Sequence, residues 1–349
     1  MSAARDASWS GRRVLVTGAS GFTGSHLARA LLEAGAAVRV FVRRPEALPA
    51  DLRASLEVAC GDVRDPAAVA QAVAGCEVVY HVAALYRDAS SRAQEYWDVN
   101  VAGTEHVLAA CARHAVRRLV YTSTVGVHGD VAAIPADESA PFNPGDAYQR
   151  SKLVAEERVW AWYRATQIHT VVVRPAGIYG PGDLRFLKLF RAIRDCRFIM
   201  LGDGQTLFHG VYIDDLVQGY LLAGTRDQAI GETFIISGDR YVTLNELVEL
   251  VARTMGAPGP RWHLPVWPFY AAGAVCEAVC VPLKINPPLH RRRVGFFTHN
   301  RAFTSAKAER LLGYTPQVSL AEGLRRAAEW YQAQGYVRPT NGHMRGSHG

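Results

Sequence analysis

The chain has 349 residues, enough to bury a large core as one domain, or as one domain with a smaller lobe. Hydrophobic residues make up 49% and charged residues 20%, which places it with ordinary globular proteins and excludes disordered or fibrous classes. A net charge of +7 suits an anionic cofactor or substrate, and with no long basic block it argues against nucleic acid as a partner.

The six cysteines, at 60, 76, 111, 196, 276 and 280, form no C-x-x-C pair, and no His/Cys group has metal spacing. They read as free thiols of a reducing cytoplasm, and no metal is expected. Met1 to Trp9 has no apolar stretch and does not read as a signal peptide. The most apolar later stretch, 271–283, is too short for a membrane span and holds Glu277 and Pro282. Residues 340–349 read as a vector-derived tail.

In chain order, an apolar run from Val14 to Val16 leads into Thr17, and glycines follow at 18, 21 and 24 before a helical pattern from Leu27 to Leu32. This predicts strand, tight turn and helix. The first glycine allows the turn, the second a close approach of backbone to a pyrophosphate, and the third close packing of helix on strand. The helix N-terminus offers free N–H groups and a positive dipole end to phosphates. Gly18, Ser20, Gly21, Phe22, Thr23 and Gly24 are therefore candidate dinucleotide contacts.

A second strand, 37–42, ends at Arg43-Arg44-Pro45. At that strand end an acidic residue suits the ribose hydroxyls of NAD and a cation suits the 2′-phosphate of NADP, so Arg43 and Arg44 favour NADP while leaving NAD open. A third strand, 56–59, precedes Asp62, whose carboxylate can accept from the adenine amino group. Asp65 before Pro66 predicts the N-cap of a helix over 67–73. A fourth strand, 77–81, runs into small residues, Ala83 and Ala84, against which a flat ring can lie. Asp98 to Thr104 opens a helix ending near His114, and a fifth strand spans 119–123. Strands alternating with helix-length segments predict an α/β fold with a doubly wound parallel sheet, with ligands outside the carboxyl ends of the strands.

Tyr148-Gln-Arg-Ser-Lys152 opens a further helix, running to about Tyr163. Tyrosine and lysine at i and i+4 share a face, and an ammonium beside a phenol favours the phenolate, so the pair can take a proton from an alcohol. The strand before it ends in Thr122-Ser123-Thr124, where a hydroxyl can bond the same substrate oxygen.

These motifs, with Asn100, Arg174-Pro-Ala-Gly-Ile-Tyr-Gly-Pro-Gly-Asp183, Val211-Tyr-Ile-Asp-Asp-Leu216 and Lys307-Ala-x-x-x-Leu-Leu-Gly-Tyr-x-Pro316, resemble the extended short-chain dehydrogenase/reductases, the NAD-dependent epimerase and dehydratase family. The likeness spans about residues 12 to 335. It implies a Rossmann domain over 11–180 with 208–236 returning to it, and a smaller C-terminal substrate-binding lobe formed by 181–207 and 237–335. It implies Tyr148 as acid/base, Lys152 as its electrostatic partner and nicotinamide-ribose contact, and Thr124 as holder of the reacting hydroxyl. Ser123, Pro175 and Ile178 become cofactor neighbours, and Asp62 and Val63 resemble the adenine contacts. Asn100 resembles a cofactor-site residue that stabilises its helix bend or a water. In the family, hydride moves between nicotinamide C4 and a carbinol carbon.

Two departures bear on substrate. Sugar-nucleotide members carry an Asn after the strand ending near Arg174, where this chain has Ala176 and Gly177. They also carry an Arg-Asp-Phe/Tyr run where this chain has Leu207-Phe-His-Gly210. The aromatic, proline-containing segment from Trp262 to Leu283 is more like that of 3β-hydroxysteroid and sterol-4-carboxylate dehydrogenases, or is an ordinary core helix. The expected activity is an alcohol/ketone oxidoreductase acting on an apolar, sterol-like small molecule. The alternative is an NAD-dependent sugar-nucleotide 4-epimerase or dehydratase, for which Arg291 to Arg293 offer a phosphate clamp. The helices at 92–114 and 146–164 carry apolar residues on more than one face, including Trp160 and Trp162, and the family resemblance implies that they pair across a two-fold axis into a four-helix bundle, so a homodimer is expected.

Overall fold

A computed structural model describes residues 8–86, 93–260, 262–280 and 294–338. Arg291 to Arg293 and the tail at 340–349 lie outside the described residues.

The first strand, β1 (Arg13–Thr17), is buried from Val14 onward, with Val14 and Val16 facing one core and Leu15 the other. That alternation is the period of a strand covered on both sides. Burying each such side chain contributes about 1.5–3 kcal/mol. β1 is central in a seven-stranded sheet. The others are β2 (Ala37–Val42), β3 (Glu57–Cys60), β4 (Val78–His81), β5 (Arg118–Thr122), β6 (His169–Pro175) and β10 (Thr233–Ile236). Their order is β10-β6-β5-β4-β1-β2-β3, and all pairs are parallel. The order reverses between β1 and β4, the crevice in which such sheets bind ligands. The predicted doubly wound fold is the one observed.

Helix α1 (Phe22–Glu33) packs with α8 (Ile213–Thr225) on one face of the sheet. On the other lie α3 (Pro66–Val73), α5 (Gly103–Arg113) and α6 (Ala147–Thr166). Asp65 caps α3 as expected, accepting from the amides of Ala67 and Ala68. Outside this sheet, β7 (Gly177–Tyr179), β9 (Leu207–Tyr212) and β11 (Tyr241–Thr243) form a three-stranded sheet, and β8 (Met200–Leu201) pairs with β12 (His263–Leu264). Helices α7 (Leu187–Arg194), α9 (Leu244–Thr254), α10 (Val266–Cys280), α11 (Ala306–Leu312) and α12 (Leu320–Ala333) complete this side. Among the described residues no helix is long and apolar enough to cross a membrane.

The helix predicted to open at Asp98 starts earlier. Helix α4 (Ala93–Trp97) runs into a widened π-type turn at Asp98–Ala102 and then into α5. The Thr104 hydroxyl donates to the Asn100 carbonyl at 2.6 Å, an insertion of the kind that opens a helical turn. That hydroxyl ends a buried chain. The Thr17 Oγ1 accepts from the amides of Val82 and Ala83, each at 3.1 Å, so its proton goes to His81 Nδ1 at 2.9 Å. The opposite nitrogen, Nε2, then donates to Thr104 Oγ1 at 3.0 Å. Burial pushes the His81 imidazole down to about 3, with Lys152 adding to the effect, so the ring is neutral.

The glycine turn is sterically closed. Gly18 has φ +73°, and a Cβ there would lie 2.8 Å from the Ala83 Cα. A Cβ on Gly24 would lie 2.4 Å from the Gly18 carbonyl oxygen. Backbone cannot yield cheaply to either.

Two outcomes are expected. Gly24→Ala forces helix and turn apart and costs about 2–4 kcal/mol in chemical denaturation; a cost below about 0.5 kcal/mol would contradict the close packing. For His81 the folded pKa lies below the ordinary 6.5, so its contribution is intact above pH 6.5. As pH falls below that value the unfolded chain binds a proton that the folded protein refuses until about pH 3. Stability then drops by about 1.4 kcal/mol per pH unit. Urea midpoints between pH 7 and 4.5 should fall more steeply for the native protein than for His81→Gln, and equal slopes would show an ordinary imidazole.

Candidate active site

Tyr148 and Lys152 sit in the first turns of α6, both buried. Asp146 caps this helix by accepting from the Gln149 amide at 2.8 Å. The Lys152 Nζ lies 4.2 Å from the centre of the Tyr121 ring on β5. Burial pushes its ammonium down to about 7, against a rise due to Glu156 one turn along. Glu156 is itself held by Arg174 of β6, which donates to both carboxylate oxygens and, through Nη1, to the Glu138 carbonyl at 3.1 Å. Arg174 also meets His128 Nε2 at 3.0 Å. This buried cluster fixes α6 against the sheet.

Asn100 fixes the same helix from the opposite side. Its Oδ1 accepts from the Leu85 amide at 2.7 Å, and its Nδ2 donates to the Leu85 carbonyl at 3.1 Å and to Ser151 Oγ at 2.9 Å. Ser151 passes its proton to the Tyr148 carbonyl at 2.8 Å. Both amide protons of Asn100 are thus used within the protein. This bonding ties the widened turn to α6.

Thr124 Oγ1 accepts from the Gly126 amide at 3.0 Å, which leaves its hydroxyl proton to donate outward. Ser123 is buried, and its Oγ has no hydrogen-bond partner among the described residues. An unsatisfied buried hydroxyl is costly unless a ligand completes it. Tyr148 is ringed by aromatics, with Tyr86 edge-on at 5.0 Å and Tyr96 at 6.4 Å between ring centres.

The glycine turn fits a dinucleotide. The N-terminus of α1 has no side-chain cap and no acidic residue in its first turn. A Cβ on Gly21 would touch only the Gly18 carbonyl, at 3.3 Å, so its outer side is open. Arg43 and Arg44 are exposed just past β2. Asp62 stands where expected, but Arg64 holds its carboxylate through backbone N, Nε and Nη2 at 2.8–3.0 Å. That pairing keeps Asp62 below the usual carboxylate range and leaves less of it for an adenine amino group. Val63 is buried, and its carbonyl meets His106 Nδ1 at 2.9 Å. Ala83 and Ala84 follow β4 beside Gly18, Pro175 ends β6 as a buried residue, and Ile178 is half-buried in β7.

Sequence reasoning missed Arg185. It lies in the loop after β7, its Nε on Asp183 Oδ1 at 2.6 Å and its Nη2 on the Ile178 carbonyl at 2.9 Å. Its guanidinium carbon is 5.5 Å from the Phe22 ring centre and 5.4 Å from that of Tyr86. The same loop touches α1 through the Pro181 carbonyl, 3.1 Å from His26 Nε2. An arginine in a loop carries no signature of its own; only the fold brings it beside the glycine turn.

The two positions that depart from sugar-nucleotide members are packed shut. A Cβ on Gly177 would lie 2.9 Å from the Phe208 ring and 3.1 Å from the His209 carbonyl oxygen. His209 is buried, meeting the Gly238 carbonyl through Nε2 at 3.2 Å and accepting from the Phe303 amide at Nδ1 at 3.3 Å. Burial lowers its pKa, so the ring is neutral. The apolar segment is not an ordinary core helix: Trp262 and, on α10, Trp267, Tyr270 and Val275 are exposed.

Residues 14–237 match the NAD dependent epimerase/dehydratase family. Among curated proteins, the 2-alkyl-3-oxoalkanoate reductase of Stenotrophomonas maltophilia is 35% identical over 327 residues, 90% of this chain and 98% of that one. The sterol demethylase protein B of Methylococcus capsulatus is 31% identical, over 93% of this chain and 99% of that protein. Among solved structures, gox2253 superposes with a TM-score of 0.77 at 30% identity, covering 93% and 99% of the two chains. DesIV, a dTDP-glucose 4,6-dehydratase of Streptomyces venezuelae with NAD bound, gives 0.75 at 27% identity over 93% and 99%. Together with the sheet order, the glycine turn and the tyrosine–lysine helix, these matches make the chain a member of the NAD dependent epimerase/dehydratase family, an oxidoreductase of the extended short-chain dehydrogenase/reductase type.

Proposed function

We propose that the protein is an NADP-dependent oxidoreductase interconverting a secondary alcohol and a ketone on a largely apolar small molecule. The observation that carries this reading is the closure at Gly177 and His209. Where sugar-nucleotide members place polar grips on a diphosphate, this chain has a Phe208 ring and a neutral, fully bonded imidazole. The names of the relatives, a reductase of 2-alkyl-3-oxoalkanoates and a sterol demethylase protein, support the same class. Arg43 and Arg44, exposed past β2, support NADP through the charge of its 2′-phosphate. The half-buried Trp160 and Trp162 on α6 support a homodimer.

A nicotinamide cofactor, when bound, would supply the acceptor for the hydride of the carbinol carbon. The remaining chemistry belongs to the chain. Thr124 donates its hydroxyl proton to the substrate oxygen and holds the alcohol. Tyr148 takes the alcohol proton as the C–O bond becomes a carbonyl, and returns it in the reverse direction. Lys152, as ammonium, favours the phenolate of Tyr148 and meets the ribose. The aromatic wall of Tyr86 and Tyr96 keeps water from the tyrosine.

The test is a steady-state assay of the purified protein on hydroxysteroids and long-chain ketones with NADPH and NADH, beside UDP-glucose. Turnover of an apolar ketone with preference for NADPH is expected; epimerisation of UDP-glucose with tightly held NAD would overturn the reading. Tyr148→Phe should lower kcat by about 100-fold or more while dinucleotide affinity stays within about 3-fold. Because Lys152 titrates near 7, its ammonium, and with it part of the attraction for the dinucleotide, is lost as pH rises. NADPH affinity, followed by tryptophan quenching from pH 6 to 8.5, should weaken by about 3- to 10-fold in the native protein beyond any change in Lys152→Met. Parallel curves for the two proteins would show that Lys152 keeps its charge throughout.

A further inference from the structure

We infer that Arg185 is a specificity residue that binds a carboxylate on the substrate, so that the preferred substrates are acids bearing the reacting alcohol or ketone near the carboxyl group. The inference rests on the oxidoreductase reading above and narrows its substrate class.

The side chain is anchored as a binding arginine needs to be. Asp183, itself buried, takes the Nε edge at 2.6 Å and also accepts the Arg185 backbone amide at 3.0 Å. The Ile178 carbonyl takes one proton of Nη2. These bonds fix the plane of the guanidinium and leave its Nη1 end, on a side chain about a third exposed, without a hydrogen bond among the described residues. A planar fork held along one edge presents the other for bidentate recognition of an oxyanion.

Its placement points to the substrate. The guanidinium carbon lies 5.4 Å from the centre of the Tyr86 ring, which packs edge-on 5.0 Å from the ring of Tyr148. The distance from Arg185 to the catalytic ring is therefore at most the sum of those two separations, and the two side chains are close enough to interact electrostatically. A 3-hydroxy or 3-oxo acid, with its carboxylate two carbons from the reacting centre, bridges that interval when its oxygen bonds Tyr148. Such a pairing also resolves the closure at Gly177 and His209. A substrate that is apolar apart from one carboxylate needs no diphosphate grip, and it does need one fixed cation in an otherwise aromatic pocket. The other anion within reach is the cofactor pyrophosphate, since the guanidinium also lies 5.5 Å from the Phe22 ring beside the glycine turn.

The experiment compares 3-hydroxydodecanoate with its methyl ester, in the oxidative direction with saturating NADP or NAD, in the native protein, Arg185→Met and Arg185→Lys. In the native protein kcat/KM should favour the acid over the ester by about 10- to 100-fold, the range of a charge-assisted bidentate contact. That ratio should collapse towards unity in Arg185→Met and be intermediate in Arg185→Lys, which keeps charge but loses the fork. Merely structural damage lowers both rates and leaves the ratio in place. The inference is overturned if the native ratio is near one, if the ratio survives in Arg185→Met, or if the loss appears as a raised KM for the dinucleotide, which assigns Arg185 to the pyrophosphate. Should Arg185→Met not fold, the native acid-to-ester ratio and Arg185→Lys still decide. If the ester or a neutral hydroxysteroid is oxidised and the acid is not preferred, only this inference falls. If no alcohol of any kind is oxidised, the oxidoreductase reading falls with it.

Discussion

One unbroken line of buried hydrogen bonds joins the glycine turn to the catalytic helix. It runs from the Thr17 hydroxyl to His81, from His81 to Thr104, from Thr104 to the Asn100 carbonyl, and from the Asn100 amide through Ser151 to the Tyr148 carbonyl. Each member is buried. In a low-dielectric interior such a chain is strong when complete and costly when broken. It therefore fixes, to within hydrogen-bond tolerance, where the end of β1 stands relative to Tyr148 on α6. The widened turn at Asp98–Ala102 is a local consequence, because the helix opens where its carbonyl is taken by the Thr104 side chain.

The electrostatics around Tyr148 depend on that rigidity. Lys152 is buried against the Tyr121 ring, and desolvation alone would strip its proton near neutral pH. Glu156, one helical turn away and locked by Arg174, opposes that loss. The lysine is thus poised between charged and neutral forms, which is where a group that modulates a phenol has most leverage. Arg185 adds a second cation beside Tyr86, with its charge directed by Asp183 and its position set by a loop resting on α1.

The region around Gly177 and His209 is closed by packing. Gly177 and His209 show no strain, yet the space around them is filled by Phe208 and by backbone, so no polar side chain fits without displacing a ring. The aromatic surface of α10, with Trp267 and Tyr270 exposed, extends the apolar character beyond the packed core.

Much of this was legible in order along the chain. The strands expected at 37–42 and 77–81, found at 37–42 and 78–81, the Asp65 cap, the three glycines and the Tyr148/Lys152 spacing are local patterns, and local sterics and the two-residue and four-residue periods dictate them without help from the rest of the molecule. What the sequence determined by itself is the doubly wound sheet, the dinucleotide turn and the pairing of tyrosine with lysine. The tertiary structure alone decided that Asn100 spends both amide protons on the protein, that His209 turns inward, and that Arg185 stands beside Tyr86. These residues lie up to about a hundred positions from the groups they meet, and a side chain's partner at that range depends on how helices pack on the sheet, which no local pattern encodes.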